Sequence, residues 1–356
     1  MKIEHGETFY GWNYTAFFDP HWLQWESPDY EVHLKLAIFI GFVLAASLIG
    51  NGLTIFTILR SPQLRRDGWF SISLCVSDMF APLTTYPLFI LSSLNGRWIF
   101  PPWSCAFYAF TQGTCGLVSI CSLTAIAWEM YMKIARKTSK WANMTANQYC
   151  GIIFIIWAYS FVTMLPPLVG ISRFVPAGFL TTCCFDYITR STEARLFIIW
   201  LFSFGLGFPM SGIVYTFYQI WTAITRQGKF KRALKEVQRA IELPLDDDFS
   251  EVEGSTFEEQ TRWKGEDKKK CFICLMSIFV FVVFWTPYAL VALVGEWGPP
   301  GFVTPWMNMV PSLMTKSSTM YNPVVFLFRD KLFRKLVISN LQCHQENPRR
   351  RNSDET

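Results

Sequence analysis

With 356 residues, 51% of them apolar and only 17% charged, the chain is too apolar for a water-soluble globule and far too hydrophobic for a disordered one. The formal net charge of +5 calls for no nucleic acid, because Lys and Arg cluster between apolar stretches as membrane topology distributes them. What remains is a polytopic, all-α membrane protein.

Apolar stretches of about 20 residues or more run near Leu34 to Leu59, Trp69 to Ser93, Trp103 to Met132, Tyr149 to Val169, Leu196 to Trp221, Cys271 to Val294 and Phe302 to Phe328, seven in all. Arg60, Arg65 and Arg66 follow the first, and Lys133, Arg136, Lys137 and Lys140 the third. A dense basic run follows the fifth, and Arg329, Lys331, Arg334 and Lys335 the seventh. The opposite loops are poor in Lys and Arg, so the N-terminus is expected outside and the C-terminus in the cytoplasm. The first stretch is too long and too far from Met1 for a cleaved signal peptide. The expected organisation is an extracellular segment 1–33, a seven-helix bundle 34–328 with a long cytoplasmic loop 226–270, and a cytoplasmic tail 329–356.

The N-terminal segment is rich in aromatics and contains Asn13-Tyr14-Thr15, a glycosylation acceptor of a kind that chance also produces. Asn143-Met144-Thr145 matches the same pattern but falls in a cytoplasmic loop, where no glycan is added. Span one carries Gly50-Asn51 and span two carries Asp78, a carboxylate whose cost inside a membrane predicts an inward position. Ser119 on span three and Asn322 on span seven are its expected company, in an interhelical clamp, a sodium or proton site, or both. Cys105 opens span three and Cys183-Cys184 lie in the loop before span five, so an oxidising exterior favours a bridge that ties this loop down, with Cys183 the preferred partner. Cys271-Phe272-Ile273-Cys274 has metal-like spacing, but it has no second pair and starts a membrane helix, so packing is the simpler reading. Cys343 is a candidate for palmitoylation.

In the loop 226–270, Lys229 to Ala240 is basic and helix-permissive and is expected to extend span five, while Asp246 to Glu259 reads as an acidic, flexible insert. Span six carries Trp285-Thr286-Pro287-Tyr288, where the proline removes a helical hydrogen bond and kinks the helix. Span seven carries Lys316 near its centre, flanked on both sides by largely apolar residues. A surface lysine or one snorkelling to the headgroups fits that place poorly. An amine positioned to form a Schiff base fits it better, its charge neutralised, paired or lowered in proton affinity. Asn322-Pro323 follows, and beyond Phe328 the segment Arg329 to Leu341 suits an amphipathic eighth helix on the inner membrane surface.

Gly50-Asn51, Leu74 with Asp78, Cys105 with a loop cysteine, Trp157, Pro209, Trp285-Thr286-Pro287-Tyr288 and Asn322-Pro323 together resemble a rhodopsin-class G-protein-coupled receptor. Lys316, seven residues before Pro323, stands where opsins attach retinal. Gly11-Trp12-Asn13, Asp19-Pro20-His21-Trp22 and the segments Arg173 to Pro176 and Thr181 to Tyr187 make the resemblance nearest to arthropod rhabdomeric opsins. It implies 11-cis-retinal covalently bound to Lys316, with Trp285, Tyr288 and Gly116 lining the polyene and Tyr108 and Gln112 near the attachment point. Membrane lipid, a heterotrimeric G protein and arrestin are the partners it implies, and a receptor rather than an enzyme is the class.

Two departures stand out. The family's counterion positions hold Tyr108 and Ala177, neither of which is acidic. Three outcomes follow: a neutral linkage absorbing in the near ultraviolet, an inorganic anion as counterion, or another carboxylate such as Glu193 or Glu296. Asp186 is expected to pair with Arg173 as a structural clamp instead. At the end of span three the family's acid-arginine-tyrosine triplet is Glu129-Met130-Tyr131, and the tyrosines that receive the arginine fall at Phe217 and Phe326, unless a one-residue shift of register restores Tyr218. Altered G-protein coupling follows, with a retinal photoisomerase or storage protein as the second reading. A transporter or channel is disfavoured, because no inverted repeat or charged conduction path is present.

Overall fold

The computed structural model describes residues 8–9, 12–13, 17–134, 144–240 and 265–329. Seven helices form a bundle: α1 (Tyr30–Arg60), α2 (Trp69–Leu94), α3 (Pro102–Ile134), α4 (Ala146–Met164), α5, α6 (Gly265–Trp297) and α7. α5 joins Thr192–Trp200 to Phe208–Ala240 through a π-helical stretch, Leu201–Gly207, so the expected extension to Ala240 is present but the helix is not uniformly α. α7 joins Pro305–Ser317 to Tyr321–Arg329 through a 3-10 turn, Ser318–Met320. The first six are each long and apolar enough to cross a bilayer, and α7 completes a multi-pass membrane fold. The expected eighth helix, the acidic insert Asp246 to Glu259 and Cys343 lie outside the described residues.

α3 is the central helix. In its apolar window 67% of the residues are buried, against 33% in α1 and 28% in α4. The outward faces are the apolar ones: Phe154, Ile155, Val214 and Trp221 are exposed on the bundle surface, as lipid requires. Polar contacts hold the inward faces together. Asn51 donates to the carbonyls of Ser47 and Thr319, both at 2.9 Å. The Trp157 indole donates to Ser73 Oγ at 3.2 Å, tying α4 to α2.

One end of the bundle is closed by a lid. Strands β3 (Phe174–Ala177) and β4 (Thr182–Phe185) pair antiparallel between α4 and α5, while the short pair β1 (Thr8–Phe9) and β2 (Trp12–Asn13), which holds the backbone of Asn13, lies in the N-terminal segment. A disulfide joins Cys105, in the first turn of α3, to Cys183 in β4, the expected pairing. The hairpin turns at Gly178, whose φ of +64° is left-handed and where any Cβ would strike the Asn308 side chain. Arg173 donates to Asp186 Oδ2 at 2.8 Å and to Asp19 Oδ2 at 3.2 Å, so the expected clamp also fastens the N-terminal segment. Burial works against the Asp186 carboxylate, but Thr189, Arg173 and the Ile188 amide all donate to it, and the net effect holds it below the usual carboxylate range. Trp22 is buried beneath this clamp, against Ala177, Cys184 and Tyr187.

Candidate functional site

Lys316 sits two residues before the 3-10 turn of α7, and its side chain is drawn wholly inside the bundle, with the residue 4% exposed. Its backbone carbonyl accepts from Tyr86 Oη at 2.7 Å and Thr319 Oγ1 at 3.0 Å, which fixes the turn that carries the amine. Nζ donates to Ser312 Oγ, one helical turn earlier, at 2.6 Å, and to Thr182 Oγ1 of the lid at 3.4 Å. The rings of Phe89 and Tyr108 lie 5.6 and 5.7 Å away. Among the described residues no carboxylate is ion-paired with this amine.

The amine opens on a cavity of about 400 Å3 between α2, α3, α5, α6, α7 and the lid. Lys316, Trp285, Tyr288, Gly116, Tyr108 and Gln112, which come from three different helices, all line it. Trp285 stacks on Phe281 with centroids 5.2 Å apart and donates to Ser318 Oγ at 3.3 Å. Its ring lies directly against Gly116, where a Cβ would collide with it. Gly116 is therefore small first of all to admit the tryptophan. Tyr108 is fully buried and its hydroxyl accepts from Thr182 Oγ1 at 3.1 Å, so α3, lid and amine share one hydroxyl chain.

Ala177 is buried and stands opposite Thr182 in the strand register, above the amine but without a charge to offer. The two acidic substitutes suggested for it do not reach the site. Glu193 is exposed in the first turn of α5, and Glu296 is ion-paired with Arg195 at 3.1 Å. Neither lines the cavity. Burial pushes the neighbouring Cys184 thiol up to about 12, so no thiolate stands in either. Deeper in the bundle, Asp78 accepts from Asn322 Nδ2 at 2.7 Å and from Ser119 Oγ at 3.0 Å, the partners expected of it.

At the end opposite the lid, Glu129 is buried and not orphaned. Lys133 donates to it at 2.7 Å and Tyr149 Oη at 2.6 Å, while Lys133 also bridges Asp67 at 3.0 Å. Glu129 thus keeps an ion pair without the family's arginine, from a lysine one turn further along the helix. Met130 and Tyr131 are packed in the core. Phe217 packs against that core while Tyr218 is 64% exposed, so the register of α5 does not restore a tyrosine there. The Phe326 side chain lies outside the described residues. Ser312 and Thr182 were not singled out from sequence; Ser312, four residues before Lys316, was the one a helical spacing could have shown.

A seven-helix membrane bundle with a disulfide-tied lid over a cavity that ends in a buried lysine defines the class of receptor-like membrane proteins with an internal ligand site. The model of the 7 transmembrane receptor (rhodopsin family) matches residues 50–326, and the chain belongs to that family. It is similar to a melanopsin of Rutilus rutilus, 33% identical over 87% of this chain and 58% of that protein. A similar relation, 29% identity over 91% of this chain and 63% of that one, holds to a Gq-coupled rhodopsin of Mizuhopecten yessoensis. The crystal structure of squid rhodopsin superposes with a TM-score of 0.79 at 26% identity, covering 91% of this chain and 89% of that one. These likenesses make the chain a divergent opsin of the rhabdomeric type. It spans less than two thirds of the length of these curated relatives.

Proposed function

We propose that the protein is a light-sensing receptor whose ligand is 11-cis-retinal, held covalently by Lys316. The observation that supports this most is a buried primary amine at the end of an aromatic-lined cavity of about 400 Å3, a volume in the usual range of small-molecule sites. Retinal, when bound, supplies the absorption of light and a change of shape on isomerisation.

The chain's own residues do the rest. Ser312 and Thr182 orient the Lys316 nitrogen, and the hairpin keeps water from it. Trp285 is the candidate moving part: its indole nitrogen bonds only Ser318 Oγ among the described residues, and it sits on α6 two residues before Pro287, where a pushed ring can bend the helix. With hydroxyls and rings around the nitrogen and no acid in contact, the linkage is expected to be neutral at neutral pH. With the basic loops in the cytoplasm, the lid and Asn13 face outward and lipid covers the exposed apolar faces.

The test is an absorption spectrum of the purified protein after incubation with 11-cis-retinal. A near-ultraviolet band that acid trapping shows to be covalent is expected. A sharp red shift on adding halide would assign the counterion to an inorganic anion, and no band at all would end the retinal reading. Gly116→Leu is expected to cut pigment yield more than tenfold, because the new side chain must displace the Trp285 ring into the cavity; a full yield would show that the ring has room to move.

A heterotrimeric G protein, and arrestin after it, are the partners this reading carries over. One observation favours the second reading, a photoisomerase or retinal store: Met130 is packed in the core where the family's arginine stands. Light-dependent nucleotide exchange on a G protein supports the receptor, and isomer turnover without exchange supports the isomerase.

A further inference from the structure

The π-helical stretch of α5, Leu201–Gly207, forms one wall of the cavity: Leu201, Phe202, Gly205 and Leu206 all line it. Its register follows from a proline and a phenol. The Phe208 amide donates to the Ser203 carbonyl, five residues back, so it does not serve Phe204. The next π bond would run from residue 209 to Phe204, and Pro209 has no N–H to give. The Phe204 carbonyl is thus left without a helical donor, which is costly in a bilayer. Tyr159 of α4 meets it: its hydroxyl donates to this carbonyl at 2.6 Å.

In a uniform α-helix the loss would fall one residue later. The Phe208 amide would serve Phe204, and the carbonyl left bare by Pro209 would be that of Gly205. Gly205 is buried, with Leu117 and Leu201 packed against it, and neither side chain can donate. The helix takes the register whose orphan carbonyl falls opposite a phenol.

We infer that Tyr159 is a positioning residue of the ligand site: through the Phe204 carbonyl it holds α5 in the π register, and so shapes the apolar wall against which the body of the ligand packs. Tyr159 itself does not line the cavity. Its ring lies 6.0 Å from that of Phe208, between centroids. A second tie, from the Trp200 indole to the Thr163 carbonyl at 3.0 Å, joins the same two helices, but the indole takes no part in the π bonds. Each α step turns the face by about 100°, so a return to α steps would turn part of the wall away from the cavity. What the register decides is how bulky the apolar body of a ligand can be. This deepens the retinal reading and rests on it for the identity of the ligand.

Tyr159→Phe keeps the ring and removes only the donor. An orphan carbonyl is then left in either register, Phe204 in one and Gly205 in the other, so the stretch should open more often. In the ligand-free full chain, amide hydrogen exchange read by mass spectrometry on a peptide covering 201–210 is expected to quicken about tenfold, while peptides from α3 do not change. In protein incubated with aldehydes, the preference in covalent uptake for 11-cis-retinal over an analogue lacking the ring is expected to fall about tenfold. Trp200→Phe is the control: it loses the neighbouring tie and should lower the thermal midpoint as Tyr159→Phe does, yet keep the preference. Unchanged exchange or unchanged preference in Tyr159→Phe, or an equal loss of preference in Trp200→Phe, overturns the assignment. If the unaltered protein takes up neither aldehyde, the retinal reading fails on its own, and the exchange comparison still decides whether Tyr159 holds the register.

Discussion

Lys316→Ala is expected to leave no covalent retinal on the protein: after incubation with 11-cis-retinal, acid denaturation and mass spectrometry, the adduct falls from stoichiometric to none. The loss should be complete, because no other amine lines the cavity to take its place. Stability should move little, and upward if at all. The substitution removes a buried ionisable group together with its desolvation cost, and it strands no opposite charge, since the partners are the hydroxyls of Ser312 and Thr182. Ser312 can then turn to a helix carbonyl, and Thr182 keeps its bond to Tyr108. An adduct that survives in this variant would move the attachment point elsewhere and undo the reading of the cavity.

Cys105→Ser is expected to have the largest effect on stability. The bridge closes a loop of 78 residues, and the chain-entropy account gives about 4 to 5 kcal/mol for a loop of that size. The neighbouring thiol cannot rescue the lid. Successive residues of a strand point to opposite faces, so with Cys183 directed at Cys105, Cys184 is turned toward Tyr288 and Tyr187. The same alternation explains why Cys183, and not its neighbour, carries the bridge. Thermal unfolding followed with a thiol-reactive dye should show a clear fall in midpoint for Cys105→Ser and for Cys183→Ser alike. Retention of the midpoint in Cys183→Ser alone would mean that Cys184 can exchange into the bridge.

Much of this was legible in the sequence for physical reasons that are local. An apolar run of bilayer length is its own evidence, and so is a lysine in the middle of one. Asp78 was legible together with its partners because a membrane carboxylate must find donors on the inward faces of its neighbours, and there are few. What escaped was decided through space. Thr182 is one of several threonines in a loop until the hairpin folds it over Lys316. Lys133 stands four residues from Glu129, a spacing that favours a helical ion pair, but Asp67, which fixes the lysine from the other side, comes from the turn before α2. The missing arginine drew attention to what was lost, and the replacement lay one helical turn away.

The π-helical stretch Leu201–Gly207 bears on how this chain is lined up against others. A π turn holds one residue more than an α turn, and each residue of an α-helix turns the face by about 100°. Counting inward-facing positions in uniform α steps across that stretch therefore runs one residue early beyond Gly207, and puts Thr216 where Phe217 stands. A deletion of a single residue between Leu201 and Gly207 would let the stretch close to a regular α-helix while the helix beyond keeps its face, leaving Phe217 against the core and Tyr218 toward lipid.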